Sequence, residues 1–487
     1  MNNEISNVQF YGGRLVSLIP FGLFIIIAIL ISVLKAPDLR GMWAAALIGI
    51  MVTYFLSKDK EKYAQAVIEG MADKIAVIPV VCWIFAGVFA QVLKDSGLVD
   101  GILWAAYHVG ATGTLFVIIA FVASALFATA TGTSFGTIIA GISVLYPAGI
   151  LLGADPIVLA GAIVGGAAFG DNIAPISDTT ISSAASQGAD VGGVVKSRIR
   201  YVIPASIITI ILLAIFGGGG SAQEALPYDQ LSQHMNPTGL VMLIPAIITI
   251  IFAVKGAHLI SATTIGTVVG IIIAQLFNLN SFSNLIYIED GAAQGVFVNG
   301  IGGMVDICIF ALLIMACVNI MRVGNGDKAL MGIAERFIST VRGAEASIAG
   351  LTLGLTSVMG LNAPPILAIG ISYARPIGEK YKIHKYRVAN ILDAFANTLC
   401  FALPWSPALF LVVSLTAEAN SVYGEIVPVL STGQLGIWII YCWALLAVMI
   451  FSVITGWGRT YVGRNGEPIK SLTLSGDNKD HKTNIGV

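Results

Sequence analysis

Residues 166–186 read GAAFGDNIAPISDTTISSAAS, and this stretch decides what kind of structure the chain forms. It places two carboxylates, Asp171 and Asp178, and one proline, Pro175, between apolar runs. A proline inside a helix removes one backbone hydrogen bond and kinks or ends the helix. Irregular backbone at membrane depth is tolerated only where it is buried in protein or lines a cavity. The stretch therefore predicts a membrane helix that is broken near two acids.

The composition of the whole chain agrees with a membrane protein. Of its 487 residues, 56% are hydrophobic and 11% are charged, and the mean hydropathy is +0.87. Soluble domains carry about 25% charged residues. The net charge of -1 leaves no basic surface for nucleic acid. These values exclude soluble enzymes, nucleic-acid-binding proteins and disordered scaffolds, and they predict an all-α polytopic membrane protein embedded in a lipid bilayer.

The distribution of lysine and arginine predicts the orientation of the chain in the membrane. Loops 221–237 and 278–303 contain neither residue, so we expect both to be external. The cation-bearing positions that we expect to be internal are Lys255 and the segments 58–74, 196–200, 322–342, 375–387 and 459–482. The result is a multi-pass protein of the plasma (inner) membrane, most consistent with a bacterium, with both termini cytoplasmic.

An internal repeat relates the two halves of the chain. The spacing GISxxxPxG occurs at 141–149 and again at 370–378. A glycine break upstream recurs with nearly the same offset, at Gly132 and Gly360. The predicted orientation places Pro147 outside and Pro376 inside, so the halves are inverted. Inverted repeats with broken helices are typical of secondary transporters that bind substrate near the bilayer midplane.

These observations predict an inverted-repeat transporter with re-entrant hairpins and broken transmembrane helices. The arms of each hairpin are either re-entrant or two short spans. The predicted parts are N-terminal scaffold helices at 1–57, a first repeat at 58–217, an external linker with additional spans at 218–277, a second repeat at 278–456 and a cytoplasmic tail at 457–487. In the first repeat, the hairpin tip is predicted at 131–134 and the helix break at 170–178. In the second repeat, the tip is predicted at 360–365 and the break at 404–407.

The acids at the first break are the main candidates for ion binding. No lysine or arginine occurs from residue 95 to 195, and an ionised carboxylate at the bilayer centre costs at least about 2.5–3.5 kcal/mol. A bound cation, a proton or backbone N–H groups could compensate the charge of Asp171 and Asp178. We predict these two acids as Na+ ligands, with nearby oxygens from Thr131, Thr133, Ser134, Asn172, Ser177 and Thr179. The structural alternatives are a hydrogen-bond node at Asp171 and, at Asp178, an N-cap of a helix beginning at Thr179.

The second half offers a smaller polar set. Asn390, Asp393 and Asn397 are spaced three and four residues apart, so they share one helix face. Asn362 lies at the second hairpin tip, opposite Thr133 and Ser134 of the first. We predict that Asn362, Asp393 and Asn397 complete the binding site, the alternative being an interhelical polar contact. Other acids near span ends, including Glu345, are expected at the membrane interface.

Sequence motifs of enzymes are absent. The five cysteines lie in apolar runs without a CxxC pair, and the five histidines include no pair at metal-ligand spacing. The chain has no GxSxG, HExxH or P-loop motif. We therefore predict no enzymatic activity, no ATP-driven transport and no cofactor, with Na+ and H+ as transported or coupling ions.

Residues Gly170–Thr180, GDNIAPISDTT, resemble the signature G-D-x-x-S-P-x-S-D-T-T of the NhaC-type sodium/proton antiporter family, within the ion-transporter superfamily. Leu403-Pro404-Trp405 resembles the family's later P-W motif, and the layout is similar over roughly 12–460. The chain departs from the family at Asn172, where many relatives have lysine, and at Ala174, where serine is usual. The resemblance implies a dimeric elevator transporter with a scaffold and a mobile domain.

The resemblance implies Na+/H+ antiport, with Asp171 and Asp178 binding Na+ and H+ in competition. The family also includes exchangers of small carboxylates, so a Na+- or H+-coupled carrier of a small organic acid or amino acid is the alternative. A channel is a third possibility from the repeat alone. The expected partners are small ions or a small-molecule substrate, and a second copy of the chain in a homodimer, with no nucleic acid.

Overall fold

Apolar helices form nearly all of the structure. The computed structural model describes residues 7–33, 39–218, 231–255, 257–289, 291–335 and 338–470. Within them, eight helices are long and apolar enough to cross a membrane, or up to ten if each of two bent pairs counts as one span. The fold is therefore an all-α polytopic membrane protein, as the sequence predicts. The extreme N-terminus, residues 219–230 of the predicted linker and residues 471–487 of the predicted tail lie outside the described ranges.

The first half of the chain contributes ten helices to the described structure. They are α1 (Ile19–Val33), α2 (Leu39–Leu56), α3 (Lys60–Met71), α4 (Lys74–Asp95), α5 (Leu98–His108), α6 (Gly113–Thr131), α7 (Ser134–Leu151), α8 (Pro156–Ile173), α9 (Asp178–Ser186) and α10 (Val191–Phe216).

The second half contributes a further twelve helices to the described residues. They are α11 (Leu243–Val254), α12 (Leu259–Leu276), α13 (Val296–Gly302), α14 (Val305–Val323), α15 (Gly326–Glu335), α16 (Val341–Met359), α17 (Ala363–Ile369), α18 (Arg375–Lys380), α19 (Lys385–Ala402), α20 (Pro407–Tyr423), α21 (Thr432–Leu435) and α22 (Ile440–Thr455). A π-helical turn at Gly370–Ala374 joins α17 to α18.

Two short antiparallel hairpins interrupt the helices. β1 (Tyr287–Glu289) pairs with β2 (Ala292–Gln294) ahead of α13. β3 (Tyr461–Val462) pairs with β4 (Pro468–Ile469) after α22. Ile383, in the turn before α19, forms a β-bridge with Tyr461. The first part of the predicted tail is therefore an ordered hairpin that packs against the start of α19.

The order of helices repeats along the chain. Helix α6 begins at Gly113 and its counterpart α16 begins at Val341. Helix α8 begins at Pro156 and its counterpart α19 begins at Lys385, so the offset between the halves is nearly constant. The pairs α1–α2 and α11–α12 occupy corresponding places before each repeat. The equivalence thus extends to helices that the sequence assigned to a scaffold and a linker.

The two halves exchange equivalent contacts, as expected for a pseudo-two-fold arrangement. Helix α3 packs against α14 of the other half, and its counterpart α13 packs against α4. Helix α9 packs against α17, and its counterpart α20 packs against α7. Each exchanged pair consists of one element from each half. The arms of both hairpins therefore pack against the broken helix of the opposite half.

Glycines allow the closest of these approaches. A Cβ atom on Gly70 of α3 would lie 2.7 Å from Ala316 Cα in α14. A Cβ atom on Gly300 of α13 would lie 2.7 Å from Val88 Cα in α4. Both distances are too short for a side chain. The two glycines thus allow equivalent close helix contacts in the two halves.

Candidate functional site

The tips of the two hairpins have the same backbone geometry. Gly132, between α6 and α7, has φ 67°, and Gly360, at the end of α16, also has φ 67°. This left-handed region favours glycine, because other residues place Cβ too close to the carbonyl oxygen. A Cβ atom on Gly132 would lie 2.7 Å from Ile176 Cγ1, and one on Gly360 would lie 2.9 Å from Pro407 Cδ. Each tip is therefore in close contact with the helix break of its own half.

The helix breaks also correspond. Helix α8 ends at Ile173 and α9 begins at Asp178, while α19 ends at Ala402 and α20 begins at Pro407 with a bend of 41°. A serine occupies the N-cap position of the helix after each break, at Ser177 and Ser406. Each half therefore has one tip-and-break pair: the tip at Gly132 with the break between α8 and α9, and the tip at Gly360 with the break between α19 and α20.

Asp171 lies at the end of α8 and is buried, with 2% of its surface exposed. Its Oδ1 accepts a hydrogen bond of 2.5 Å from Ser177 Oγ. Its Oδ2 accepts bonds of 2.9 Å from Ser134 Oγ and 2.7 Å from the side-chain amide of Asn362. The three donors come from the first break, the first hairpin tip and the second hairpin tip. Asp171 therefore accepts hydrogen bonds from both halves of the chain.

Asp178 has a different environment from Asp171. It is the first residue of α9, so the helix begins one residue earlier than the Thr179 start considered from sequence. Ser177, rather than Asp178, takes the N-cap position. Asp178 is exposed and lines a cavity that Asp171 also lines. A negative charge in the first turn is favourable at the positive end of the helix dipole.

A chain of amide contacts links Asp171 to the second half. Asn362 donates to Asn397 Oδ1 at 2.8 Å as well as to Asp171. Asn397 in turn donates 2.8 Å to Asp393 Oδ1. Backbone angles at Asn397 (φ -85°, ψ 21°) are non-helical and kink α19 at this point. Asn362, Asp393 and Asn397 thus lie in one hydrogen-bonded series.

Arg198 lies at the end of this hydrogen-bonded series. The sequence did not indicate it as a site residue. It was placed in an internal cation-bearing segment, but α10 extends through it, and its side chain is fully buried against that of Asp393. Its Nη1 lies 2.8 Å from Asp393 Oδ2, and its Nε donates 3.0 Å to Asn390 Oδ1. The arginine belongs to the helix that directly follows α9 and Asp178, yet it neutralises Asp393 of the other half. The charge of Asp393 is therefore already compensated within the protein.

The remaining candidates divide between the cavity and the surrounding core. Thr131 and Thr133 line the cavity with Asp171 and Asp178. Thr133 Oγ1 caps α7 by accepting from Gly136 N at 3.3 Å. Thr179 is buried, and its hydroxyl contacts Ser177 Oγ at 2.9 Å.

Asn172 differs from the other candidates in its side-chain contacts. Like Ser177, Thr179, Asp393 and Asn397, it does not line the cavity. Its backbone oxygen accepts from Arg198, whereas its fully buried side-chain amide has no hydrogen-bond partner among the described residues. The structure therefore brings the other candidates into one region around Asp171 and leaves the Asn172 side chain outside it.

The cavity has a volume of about 290 Å³. Both hairpin tips, both acids, and side chains from α4, α12 and α14 form its wall. Its polar lining residues are Thr131, Thr133, Ser134, Asp171, Asp178, His258 and Asn362. No lysine or arginine of the described residues belongs to the lining. The cavity therefore presents carboxylate, hydroxyl, amide and imidazole groups to a solute.

The described residues contain no group of three or more His, Cys, Asp or Glu side chains that could hold a metal ion. A transition-metal centre is thus not formed by the described side chains. Na+ is a hard cation, like Ca2+, and by analogy takes carboxylate, hydroxyl and carbonyl oxygens. Asp171, Asp178, Ser134 and Ser177 supply this type of ligand atom. The donor set is therefore of the type that suits Na+ as a substrate.

A second buried charge cluster joins helices at another place in the core. Glu345 of α16 is fully buried and lies 2.9 Å from Arg387 Nε and 2.8 Å from Arg459 Nη2. Arg387 also donates to Tyr201 Oη at 2.8 Å and to Ser452 Oγ. Glu345, expected near a span end, is thus enclosed by protein and paired with two arginines. Its two partners follow it by 42 and 114 residues, so no local pattern indicates them.

Comparison with known proteins shows similarity to Na+/H+ antiporters. The family model of the Na+/H+ antiporter family matches residues 13–218. The chain is 24% identical over 401 residues to the Na+/H+ antiporter NhaC of Alkalihalophilus pseudofirmus, covering 78% of this chain and 85% of that protein. It is 25% identical over 270 residues to the malate-2H+/Na+-lactate antiporter of Bacillus subtilis, covering 53% of this chain and 56% of that protein.

The arginine/ornithine antiporter ArcD of Halobacterium salinarum is 22% identical over 383 residues, covering 75% of this chain and 78% of that protein. The match to the family model spans the segment that carries Asp171 and Asp178. Similarity to NhaC extends over most of both proteins. The resemblance seen in the GDNIAPISDTT stretch is thus confirmed: the chain is similar to the Na+/H+ antiporter family over residues 13–218 and to an NhaC-type antiporter over most of its length.

Proposed function

We propose that this protein is a secondary active transporter that exchanges Na+ for H+ at Asp171 and Asp178. The observation that carries the proposal is the position of Asp171, a buried carboxylate at a cavity where both hairpin tips meet. Similarity to the Na+/H+ antiporter family over residues 13–218, and to NhaC over most of the chain, supports the choice of ions. The same site would bind the two ions in turn.

Competition between the ions follows from charge. An ionised carboxylate away from water needs a compensating positive charge. Either a proton on the carboxyl or a Na+ beside it supplies that charge, and a protonated carboxyl is a poor cation ligand. One site can therefore exchange one ion for the other without leaving a bare charge in the membrane.

The hydroxyls next to Asp171 can serve both states. Ser134 and Ser177 donate to its carboxylate in the structure, and a hydroxyl carries two lone pairs that can face a cation after rotation about its C–O bond. Asp178 is exposed to the cavity, so it can attract the entering ion. Asp393 would act on this site through Asn397 and Asn362, because Arg198 already neutralises its charge.

The wider setting of the site is part of the same proposal. The loop charges support a location in the plasma membrane with both termini cytoplasmic. The repeated tip-and-break pairs would form one mobile unit of a homodimeric elevator. The pairs α1–α2 and α11–α12 would belong to the scaffold.

Proteoliposome flux tests the proposal directly. Vesicles loaded with a pH-sensitive dye would receive Na+, Li+ or K+ alone. We expect Na+ to drive proton movement in the wild-type protein and not in Asp171→Asn, which removes the charge and keeps the shape. Asp95→Asn, outside the cavity lining, is the matched control and should resemble wild type. Absence of a response to any alkali cation would refute Na+/H+ exchange.

A second candidate function is coupled transport of a small organic acid or amino acid, because the cavity is larger than an ion requires. A volume of about 290 Å³ corresponds to on the order of ten water molecules at about 30 Å³ each. Na+-dependent uptake of labelled carboxylates and amino acids into the same vesicles would test it. Lack of saturable uptake for both classes would exclude this alternative.

A further inference from the structure

The size of the cavity and the charges in its wall restrict the organic solutes that it can hold. Asp171 and Asp178 both line it, and none of its described lining residues is a lysine or arginine. A dicarboxylate would face two acids with no fixed cation, so its own charges would be repelled. A cation would neutralise an acid for which the described wall provides no lysine or arginine. The electrostatics therefore favour positively charged solutes.

Aromatic and apolar side chains form much of the remaining wall. Trp83 and Phe135 both line the cavity, and their ring centroids lie 5.1 Å apart. Aromatic rings attract ammonium groups through the negative charge on their faces. Apolar lining residues from α4, α14 and the second hairpin tip are Ile78, Pro79, Ala311, Met315 and Leu361. Na+ gains nothing from such a surface, whereas the hydrocarbon part of an organic cation would be buried against it.

Acceptor groups lie beside the acids. The hydroxyls of Thr131 and Thr133 line the cavity at the first hairpin tip. The Thr131 hydroxyl hydrogen is donated to Phe127 O at 2.9 Å, so its oxygen retains lone pairs for another donor. The hydroxyl acceptors and the two acids suit an ammonium group, and the apolar wall suits a short hydrocarbon chain attached to it.

We propose that the cavity binds a small organic cation of the ammonium class in competition with Na+. This inference rests on the proposed function, because it assigns a further substrate class to the same cavity. Asp178 would pair with the ammonium group, since it is exposed to the cavity. Trp83 would contact its substituents. Because the proposed exchange uses Asp178 as well as Asp171 for Na+, the ammonium group and Na+ would compete for the Asp178 carboxylate.

Choline and a neutral analogue of the same shape make the first test. Choline is permanently charged, so it cannot cross the bilayer as a free base and collapse a pH gradient. In 3,3-dimethylbutan-1-ol, carbon replaces the charged nitrogen. Binding of each would be measured by calorimetry on the full-length protein in nanodiscs, in potassium phosphate without Na+ or amines. We expect choline to bind at least about tenfold more tightly than the alcohol, with added Na+ weakening choline binding.

Charge-removing variants locate the site. Asp178→Asn should lower choline affinity about tenfold and leave the weak binding of the neutral alcohol unchanged. Asp95→Asn removes a carboxylate from the other end of α4, outside the cavity lining, and should bind choline as wild type does. Succinate should not bind measurably to any of the three proteins.

Each outcome separates this inference from ion exchange. Equal binding of choline and the alcohol, in a preparation that shows Na+-driven proton flux, would overturn the inference and leave Na+/H+ exchange standing. Wild-type choline binding by Asp178→Asn would overturn it as well. Selective choline binding without any Na+-driven flux would support it and refute the exchange of Na+ for protons. The comparison of ligands on wild-type protein does not depend on the folding of a variant.

Discussion

The side-chain amide of Asn362 donates a 2.7 Å hydrogen bond to Oδ2 of Asp171, across 191 residues of sequence. The bond joins the tip of the second hairpin to the break in the first half. Asn362 also donates to Asn397 Oδ1, and its own Oδ1 accepts from Ala363 N at 3.1 Å. All its polar atoms are thus engaged, and its N–H group is directed at the carboxylate.

Loss of this donor should weaken Na+ binding. Asn362→Ala removes a hydrogen bond to a charged group, and such bonds contribute about 1.5–3 kcal/mol. We expect the Na+ concentration for half-maximal flux to rise by at least about tenfold. Asn284→Ala, which removes an exposed amide bonded to Asn280, is the matched control. An unchanged Na+ dependence in Asn362→Ala would show that the amide does not position Asp171.

The fully buried pair of Arg198 and Asp393 should behave as one unit. Removing one member of a buried ion pair leaves an uncompensated charge and costs about 3–5 kcal/mol. Arg198→Gln and Asp393→Asn should each lower the apparent Tm strongly. The double variant should be more stable than either single variant, because no charge remains. Additive losses in this cycle would indicate that the two charges do not interact.

The cluster of Glu345, Arg387 and Arg459 should matter for stability. Glu345→Gln leaves two arginines without their carboxylate, so we expect a loss of about 3–5 kcal/mol. The matched control is Glu379→Gln, which breaks an exposed pair with Arg375 and should cost less than about 1 kcal/mol. Thermal unfolding of both variants in nanodiscs measures the difference. Equal losses would place Glu345 at the surface, against the structure.

The contact of the first hairpin tip with the break should be sensitive to one methyl group. Gly132→Ala adds left-handed strain of about 1–2 kcal/mol and a Cβ 2.7 Å from Ile176 Cγ1. Gly110 has a similar φ of 69° with nothing within 4 Å of an added Cβ. Gly110→Ala therefore isolates the strain. We expect Gly132→Ala to reduce the initial rate of Na+-driven flux well below that of Gly110→Ala, and similar rates would mean that the tip contact is unimportant.

Much of the architecture follows from local chemistry. Long apolar runs without charges can only be membrane helices. Pro175 and Pro404 indicate helix breaks because proline removes a backbone donor. Gly132 and Gly360 indicate tight turns because glycine tolerates positive φ. Each of these signals lies within a few residues of the feature it produces, which is why the chain order of hairpins and breaks could be predicted.

Local sequence patterns are also sufficient to predict part of the candidate site. The absence of cations from 95 to 195 distinguishes Asp171 and Asp178 from acids near loops. Helical spacing places Asn390, Asp393 and Asn397 on one face. The sequence alone thus determines that the chain is a membrane protein with a repeat, two helix breaks and acids at the first of them.

Only the tertiary structure decides which side chains meet. Asp393 shares α19 with Lys385 and Arg387, yet its partner Arg198 comes from α10 of the other half. Glu345 of α16 is paired with two arginines, one from α19 and one from the segment after α22. Asn172 lies beside Asp171 in sequence, yet one residue is a rotation of about 100° around a helix, at 3.6 residues per turn. Its amide therefore does not line the cavity. Periodicity defines faces of a helix, whereas packing decides what each face contacts.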